Sequence, residues 1–192
     1  SIENIVTGKA YISDFKKIDI KDLLGRDTVK SDSYLLKSCI ENKTVLVTGA
    51  GGSIGSEICR QLIQYGPSKL ILLDHSENSI YLIEQELQNI GNYTNKLIPI
   101  VQDIKTKYLL ENTFKTHKPD LIFHAAAHKH VPLMEENVHE LIENNIYGTK
   151  NLVELADTYN VSKFVFISTD KAVNPTNVMG ASKRTCELLI QS

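Results

Sequence analysis

The sequence predicts an α/β fold built on a doubly wound parallel sheet, and three observations carry that prediction. From Thr44 onward, short apolar runs alternate with amphipathic stretches of helical length. The apolar runs are continuous rather than alternating, the pattern of strands covered on both faces. The first of them, Thr44-Val45-Leu46-Val47, leads directly into the glycine-rich stretch TGAGGSIGSE at Thr48–Glu57, a strand–turn–helix sequence.

Taken in order, strands are expected near 44–48, 69–73, 97–101, 120–124 and 163–168, and helices near 53–65, 78–90, 106–117, 132–159 and 178–191. The second strand, Lys69-Leu70-Ile71-Leu72-Leu73, ends on Asp74, and the fourth ends on His124. The long fourth helix carries Val138, Leu141, Ile142, Leu152, Leu155 and Ala156 at helical spacing. Asn145, Gly148 and Thr149 interrupt that stripe on its own side. They fit either plain helix–sheet packing or a close approach to neighbouring strands. Asn174-Pro175 breaks the chain before the last helix. Residues 1–43 lack this alternation; Asp19–Leu24 and Ser33–Ile40 read as short helical pieces with Gly25 as a stop between them. They are expected to form a lead-in segment packed on a single domain spanning 44–192.

At 192 residues with 42% hydrophobic content the chain can bury a core, and its net charge of −2 provides no basic footprint for nucleic acid. Cys39, Cys59 and Cys186 are widely spaced without a CxxC pair, which fits a reduced setting. No apolar run is long enough to span a bilayer and no secretory signal is visible.

The glycine stretch is a phosphate-binding design. Gly49 permits a tight turn, Gly52 lets backbone approach a pyrophosphate, and Gly55 lets the helix pack on the strand. The helix N-terminus then aims N–H groups and its positive dipole end at the phosphates. The competing reading is an ordinary glycine loop without a nucleotide. Asp74 decides between them: a carboxylate at the end of the second strand accepts from ribose hydroxyls and repels a 2′-phosphate, which favours NAD over NADP.

Ligands of open α/β sheets bind at the carboxyl ends of strands. The fourth strand delivers His124-Ala125-Ala126-Ala127-His128-Lys129-His130 there. The alanines form a flat surface for a cofactor. The histidines lack the supporting carboxylate or cysteine spacing of a zinc site, so no metal is expected. Lys129 is a candidate for a diphosphate or sugar hydroxyl, with a solvated lysine as the alternative. The fifth strand delivers Thr169-Asp170-Lys171, either an acid–base set or a helix cap followed by a surface ion pair. Met179 and Lys183 lie on one face of the last helix, from which Lys183 can reach a nicotinamide ribose.

These residues resemble the extended short-chain dehydrogenase/reductase superfamily and, within it, the CapD-like nucleotide-sugar 4,6-dehydratases of polysaccharide biosynthesis, which carry a Rossmann-like NAD-binding domain. The resemblance rests on TGAGGSIGSE at 48–57, Asp74, Asp103-Ile104, HAAAHKHVPLMEEN at 124–137, NNIYGT at 144–149 and FISTDKAVNPTNVMGASKR at 166–184, and covers the chain from about Lys43 to its end. It implies that Gly49, Gly52, Ser53, Ile54 and Gly55 hold the pyrophosphate, that Asp74 with His75 and Ser76 meets the adenosine ribose, and that Asp103 and Ile104 flank the adenine. It further implies that Ala125 and Ala126 line the cofactor, that Asn145 supports the active-site backbone, and that Thr169 and Lys183 take the superfamily's hydroxyl and lysine positions. The superfamily's tyrosine base is replaced by Met179, as in the long, membrane-anchored subgroup, and a thioether is no base at neutral pH. Asp170 and Lys171 are the candidates to replace it.

The implied substrate is UDP-N-acetylglucosamine or a related nucleotide-sugar. The implied net reaction is a dehydration to a 4-keto-6-deoxy sugar, with Lys171 taking the proton at sugar carbon 5 and Asp170 assisting the 6-hydroxyl. Asp22-Leu23-Leu24-Gly25-Arg26 resembles the linker before the catalytic domain of the anchored members, which transmembrane helices and a small additional domain precede. The whole protein is therefore expected to be anchored in the cytoplasmic membrane with this part in the cytoplasm, and the 192-residue chain itself to be soluble. The superfamily's C-terminal substrate lobe is not in the sequence, so the chain is expected to bind NAD without turning over substrate. Stereochemistry at carbon 5 and oligomeric state, a homo-oligomer included, are left open. The rival readings are a nucleotide-sugar 4-epimerase, which would need the tyrosine, and a non-catalytic NAD-binding domain, which would not need Asp170, Lys171 and Lys183.

Overall fold

A computed structural model describes residues 32–91, 93 and 95–192. Its elements are α1 (Ser33–Ile40), β1 (Thr44–Thr48), α2 (Ser53–Gln64), β2 (Lys69–Asp74), α3 (Glu77–Ile90), β3 (Leu97–Val101), α4 (Lys107–His117), β4 (Leu121–His124), α5 (Val131–Glu136), α6 (Val138–Leu141), α7 (Gly148–Thr158), β5 (Lys163–Phe166) and α8 (Val178–Gln191). A π-helical turn, Ile142–Tyr147, joins α6 to α7, and a single 3₁₀ turn, Asp170–Ala172, follows β5. The expected helical piece at Asp19–Leu24 lies outside the described residues.

The strands form one parallel sheet in the order β3-β2-β1-β4-β5. The chain winds outward from β1 to one edge, returns, and winds to the other edge, so the two halves diverge between β1 and β4. This is the Rossmann-like arrangement, and the divergence opens a crevice at the carboxyl ends of those strands.

Side chains of β1 take opposite faces in turn, which sets two cores. Val45 and Val47 pack with Leu70 and Leu72 under Cys59, Leu62 and Ile63 of α2 and Ile80, Ile83 and Leu87 of α3; Ile40 of α1 joins them. Leu46 and Ile71 face the other way, with Ile122, against Leu110 and Phe114 of α4 and Leu152 and Leu155 of α7. Each such fully buried Leu, Ile or Phe contributes roughly 1.5–3 kcal/mol over leaving it in water. The central strands are covered on both faces as expected. The edge strands β3 and β5 are buried only in part, and Pro99 sits in β3, an edge strand that can spare one ladder donor.

One expected element is divided. The single helix over 132–159 is interrupted at Asn137 (φ −127°, ψ 47°), whose amide Nδ2 donates to the Leu133 carbonyl at 2.8 Å. Asparagine offers the backbone such a local alternative to the helical ladder. The π turn widens the helix next, at a position apolar spacing does not encode. Gly148 settles the interrupted stripe in favour of close approach, since a Cβ there would lie 2.6 Å from Ile104 Cδ1.

Candidate functional site

The β1–α2 turn begins at Gly49, whose φ of +68° is open to glycine at little cost; a Cβ there would stand 2.7 Å from the Ala126 nitrogen and 2.8 Å from the Ala125 carbonyl carbon. The turn therefore lies directly on the backbone that follows β4. Helix α2 starts at Gly52, which has no side chain to cap it, whereas α3 is capped by Ser76 Oγ and α8 by Asn177 Oδ1. Gly52, Ser53 and Ile54 are exposed while Gly55 is buried against the turn. Uncapped first-turn N–H groups at an exposed helix N-terminus form an anion site.

Asp74 at the end of β2 is nearly buried, and its carboxylate is fixed by backbone: Oδ2 accepts from the Gly51 N–H at 3.1 Å and Oδ1 from the Ser76 N–H at 3.0 Å. His75 Nδ1 stands 3.3 Å from Oδ1. A single cleft joins Gly49 and Gly52, Asp74 and His75, Asp103 and Ile104, and Ala125 to His128. The residues expected around a dinucleotide are thus gathered at the carboxyl ends of β1 to β4, with Ser53, Ile54 and Ser76 on the adjoining helix starts. Lys129 is exposed, one residue beyond the cleft lining.

Beneath the cleft runs a buried polar chain. His124, fully buried, meets Thr48 Oγ1 at 2.7 Å through Nδ1 and Thr149 Oγ1 at 2.9 Å through Nε2. Thr149 gives its proton to the Asn145 carbonyl at 2.5 Å, so Nε2–H donates to Thr149 and Nδ1 accepts from Thr48. Both ring nitrogens are used, which leaves neither for a metal. Burial, with the Lys183 charge adding to it, pushes the imidazole down to about 3 from 6.5. The unfolded chain binds this proton near the ordinary histidine value and the folded chain does not, so stability is fully present above pH 6.5 and is lost progressively toward pH 3. We expect acidification from pH 7 to 5 to cost roughly 1 kcal/mol per unit more in the wild type than in His124→Gln, as read by urea unfolding at each pH. Parallel pH slopes for the two proteins would contradict the assignment.

Asn145, also buried, sits on the π turn and clamps the loop after β4. Its Oδ1 accepts from the His128 N–H at 2.8 Å, and its Nδ2 donates to the His128 carbonyl and to Ser182 Oγ, each at 3.1 Å. Its carbonyl accepts from Thr149 and from Cys186 Sγ. The π turn thus directs one side chain at both the cleft loop and α8. Asn145→Ala strands several buried partners, and we expect a loss of about 2–4 kcal/mol in chemical denaturation. A change within about 0.5 kcal/mol would remove the clamp from the account.

At the end of β5, Thr169 Oγ1 accepts from the Lys171 N–H at 3.4 Å and donates to Asp170 Oδ1 at 3.0 Å. Lys171 Nζ lies 3.4 Å from the same carboxylate oxygen, and the two side chains are 51% and 88% exposed respectively. The Thr169 hydroxyl, helped by the Lys171 charge, holds the Asp170 carboxyl below the usual range. These residues therefore form the cap and surface ion pair of the alternative reading, set at the sheet's ligand edge. On α8, Met179 is buried in a small apolar cluster with Met134 and Leu141. Lys183 is buried one turn on; its Nζ donates to the Ile167 carbonyl at 2.7 Å and lies 4.2 Å over the Phe166 ring. Burial pushes its pKa down to about 8.

Sequence reasoning missed several residues of this region. Thr48 and Ser182 are ordinary small polar residues until the fold joins them to His124 and Asn145. Glu135, whose Oε1 accepts from the Val178 N–H at 2.9 Å, is a second cap of α8 from a distant helix. Gln102 entered no motif, yet it lines the cleft.

Residues 45–192 match a family described as polysaccharide biosynthesis protein. The capsular polysaccharide biosynthesis protein CapD of Staphylococcus aureus is 54% identical over the whole chain, which spans 32% of that protein. The UDP-N-acetylglucosamine 4,6-dehydratase (inverting) of a Campylobacter jejuni strain is 35% identical over 77% of the chain and 42% of that enzyme. The chain thus spans under half the length of these curated relatives. Among solved structures, a UDP-glucose 4-epimerase from Bifidobacterium longum in complex with NAD+ and UDP superposes with a TM-score of 0.68 over 77% of this chain and 48% of that one, at 24% identity, a likeness of fold.

Proposed function

Since this chain belongs to the polysaccharide biosynthesis protein family, we propose that it is the dinucleotide-binding part of an NAD-dependent UDP-N-acetylglucosamine 4,6-dehydratase. The observation that carries the cofactor half of this reading is the uncapped start of α2 lining one cleft with a carboxylate pinned by two backbone N–H groups. The pyrophosphate would lie on Gly49, Gly52, Ser53, Ile54 and Gly55, the adenosine ribose on Asp74 with His75 and Ser76, and the adenine near Asp103 and Ile104. Ala125 and Ala126 would face the cofactor, and Lys183 its nicotinamide ribose. Glycine at 49 fits the group, because a Cβ there would fill the space against Ala126 that a close backbone approach requires. A bound nicotinamide would take hydride from sugar carbon 4 and return it at carbon 6.

The chain's own residues would manage the protons. Lys171 removes the proton at carbon 5, made acidic by the neighbouring ketone, and Asp170 assists departure of the 6-hydroxyl as water, with Thr169 orienting it. Either also serves the 4-hydroxyl, since Met179 lies in an apolar cluster and carries no exchangeable proton. The Thr169 hydroxyl and the Lys171 charge keep Asp170 ionised in water, and desolvation by a bound sugar raises a carboxyl pKa, the direction its role requires. Lys129, exposed one residue beyond the cleft lining, would meet the diphosphate or a sugar hydroxyl. In the whole protein we propose membrane anchorage outside this chain; among the described residues no helix is long and apolar enough to cross a membrane.

An epimerase reading rests on the fold likeness and on sequence relatives such as the UDP-glucose 4-epimerase of Rickettsia canadensis, 34% identical over 77% of this chain, but it needs a hydroxyl base where Met179 stands. A non-catalytic NAD-binding domain would leave a nucleotide-sugar untouched. Product mass together with chromatographic mobility separates the three: the whole protein incubated with UDP-N-acetylglucosamine and NAD+ is expected to yield a product lighter by one water. An isobaric product supports the epimerase, and unaltered substrate the non-catalytic domain.

A further inference from the structure

The turn that carries Asp170 and Lys171 is not held by those two side chains. Both are exposed, and of the three residues in the turn only Ala172 is buried. The seat of the turn is backbone. A Cβ at Gly180, in the first turn of α8, would stand 2.2 Å from the Lys171 carbonyl oxygen and 3.0 Å from its carbon. Glycine there lets the helix lie directly on the turn. The Asp170–Lys171 pair therefore takes its place from where α8 begins.

Two side chains fix that beginning. Asn177 Oδ1 accepts from the Gly180 N–H at 2.8 Å, a cap supplied by the same stretch of chain. The other comes from α5, where Glu135 Oε1 accepts from the Val178 N–H at 2.9 Å across 43 residues of sequence. Helix α5 continues the loop that lines the cleft after β4. Met134, beside Glu135, packs with Met179 of α8 and Leu141 of α6. Methionine side chains adapt to many packings, so this cluster holds the helices together without fixing how one slides along the other. A hydrogen bond is directional and does fix it. The Glu135 bond also lies at the surface, where water could meet the N–H as well. Its contribution is a set relation between the cleft loop and α8 rather than stability of the helix.

Resting on the proton chemistry proposed above, we propose that Glu135 is a positioning residue for the Asp170–Lys171 pair. It holds the first turn of α8 to α5, and the turn seated on Gly180 then presents both side chains to the sugar. The role needs an acceptor at the right reach and no charge.

The test is steady-state kinetics of the whole protein with NAD+ and UDP-N-acetylglucosamine, the sugar unlabelled or deuterated at carbon 5. Glu135→Ala is expected to lower kcat about tenfold, with the affinity for NAD+ within about twofold of the wild type and Tm within about 2 °C. The isotope effect on kcat is expected to rise, because a displaced base makes removal of the carbon 5 proton slower than the steps around it. A variant that merely folds less completely would lose rate with the isotope effect unaltered. Glu135→Gln keeps acceptor and reach and is expected to recover most of the wild-type rate. Glu135→Asp keeps the charge but falls short of the N–H, and is expected to resemble the alanine variant. Turnover of Glu135→Ala within about twofold of the wild type overturns the inference and leaves the dehydratase reading standing. So does a slower alanine variant with an unaltered isotope effect. So does rescue by aspartate in place of glutamine, which would assign the role to the charge. A wild type that removes no water from the sugar overturns the dehydratase reading and the inference with it.

Discussion

Gly55→Ala is expected to abolish measurable dinucleotide binding and to lower stability by about 3 kcal/mol, a fall in Tm of roughly 6–12 °C for a chain of this size. The reason is backbone against backbone. A Cβ at residue 55 would stand 1.9 Å from the Gly49 carbonyl oxygen, and also 2.7 Å from its carbon, so no side chain can turn aside to relieve the overlap. Only the phosphate turn itself can move, and its displacement carries the uncapped N–H groups of α2 out of register with the cleft. Gly66→Ala makes the matched control. Gly66 also has a positive φ, +70°, but nothing lies within 4 Å of its would-be Cβ. It should cost only about 1 kcal/mol of backbone strain and leave the affinity for NAD+ unaltered. Thermal melts and calorimetric titration of both variants check the pair. A Gly55→Ala chain that binds as the wild type would show that the turn does not hold the pyrophosphate.

The second large effect concerns Asp170 and Lys171. Asp170→Asn and Lys171→Met, each made in the whole protein, are expected to reduce turnover by roughly 10²–10⁴-fold with Tm within about 1 °C of the wild type. The stability half of that expectation follows from exposure: both side chains lie largely in water, and their mutual ion pair is of the kind that contributes little. Loss of activity at constant stability would therefore be chemical. The same separation is not available at Lys183, whose ammonium is buried and satisfies the Ile167 carbonyl, so that its removal costs fold and cofactor site together. Turnover near the wild-type rate in both exposed variants would take the proton chemistry away from this pair.

Much of the fold was legible because it depends on local pattern. Continuous apolar runs gave the strands, and the strand–glycine–helix passage gave the β1–α2 turn. Asp74 was legible because a carboxylate at a strand end has a distinct job in that setting. Where the reading failed, the cause was tertiary. Helical periodicity runs unbroken through Asn137, yet its backbone leaves the helix there, with its side chain bonded to the Leu133 carbonyl. The π turn at Ile142–Tyr147 serves Asn145, whose partners His128 and Ser182 lie 17 and 37 residues away in sequence. In the sequence His124 is one of a group of histidines, but its neutral, doubly bonded state depends on Thr48 and Thr149 arriving from two other elements.

The most direct test of the proposed chemistry is mass spectrometry and NMR of UDP-N-acetylglucosamine after incubation with the whole protein and NAD+ in deuterated water. The account predicts a product lighter than the substrate by one water, before counting the label, with deuterium at sugar carbon 5 where a protein base removed a proton, and with no net reduction of NAD+. A product that has lost no water, or one that has lost water without deuterium at carbon 5, would contradict it.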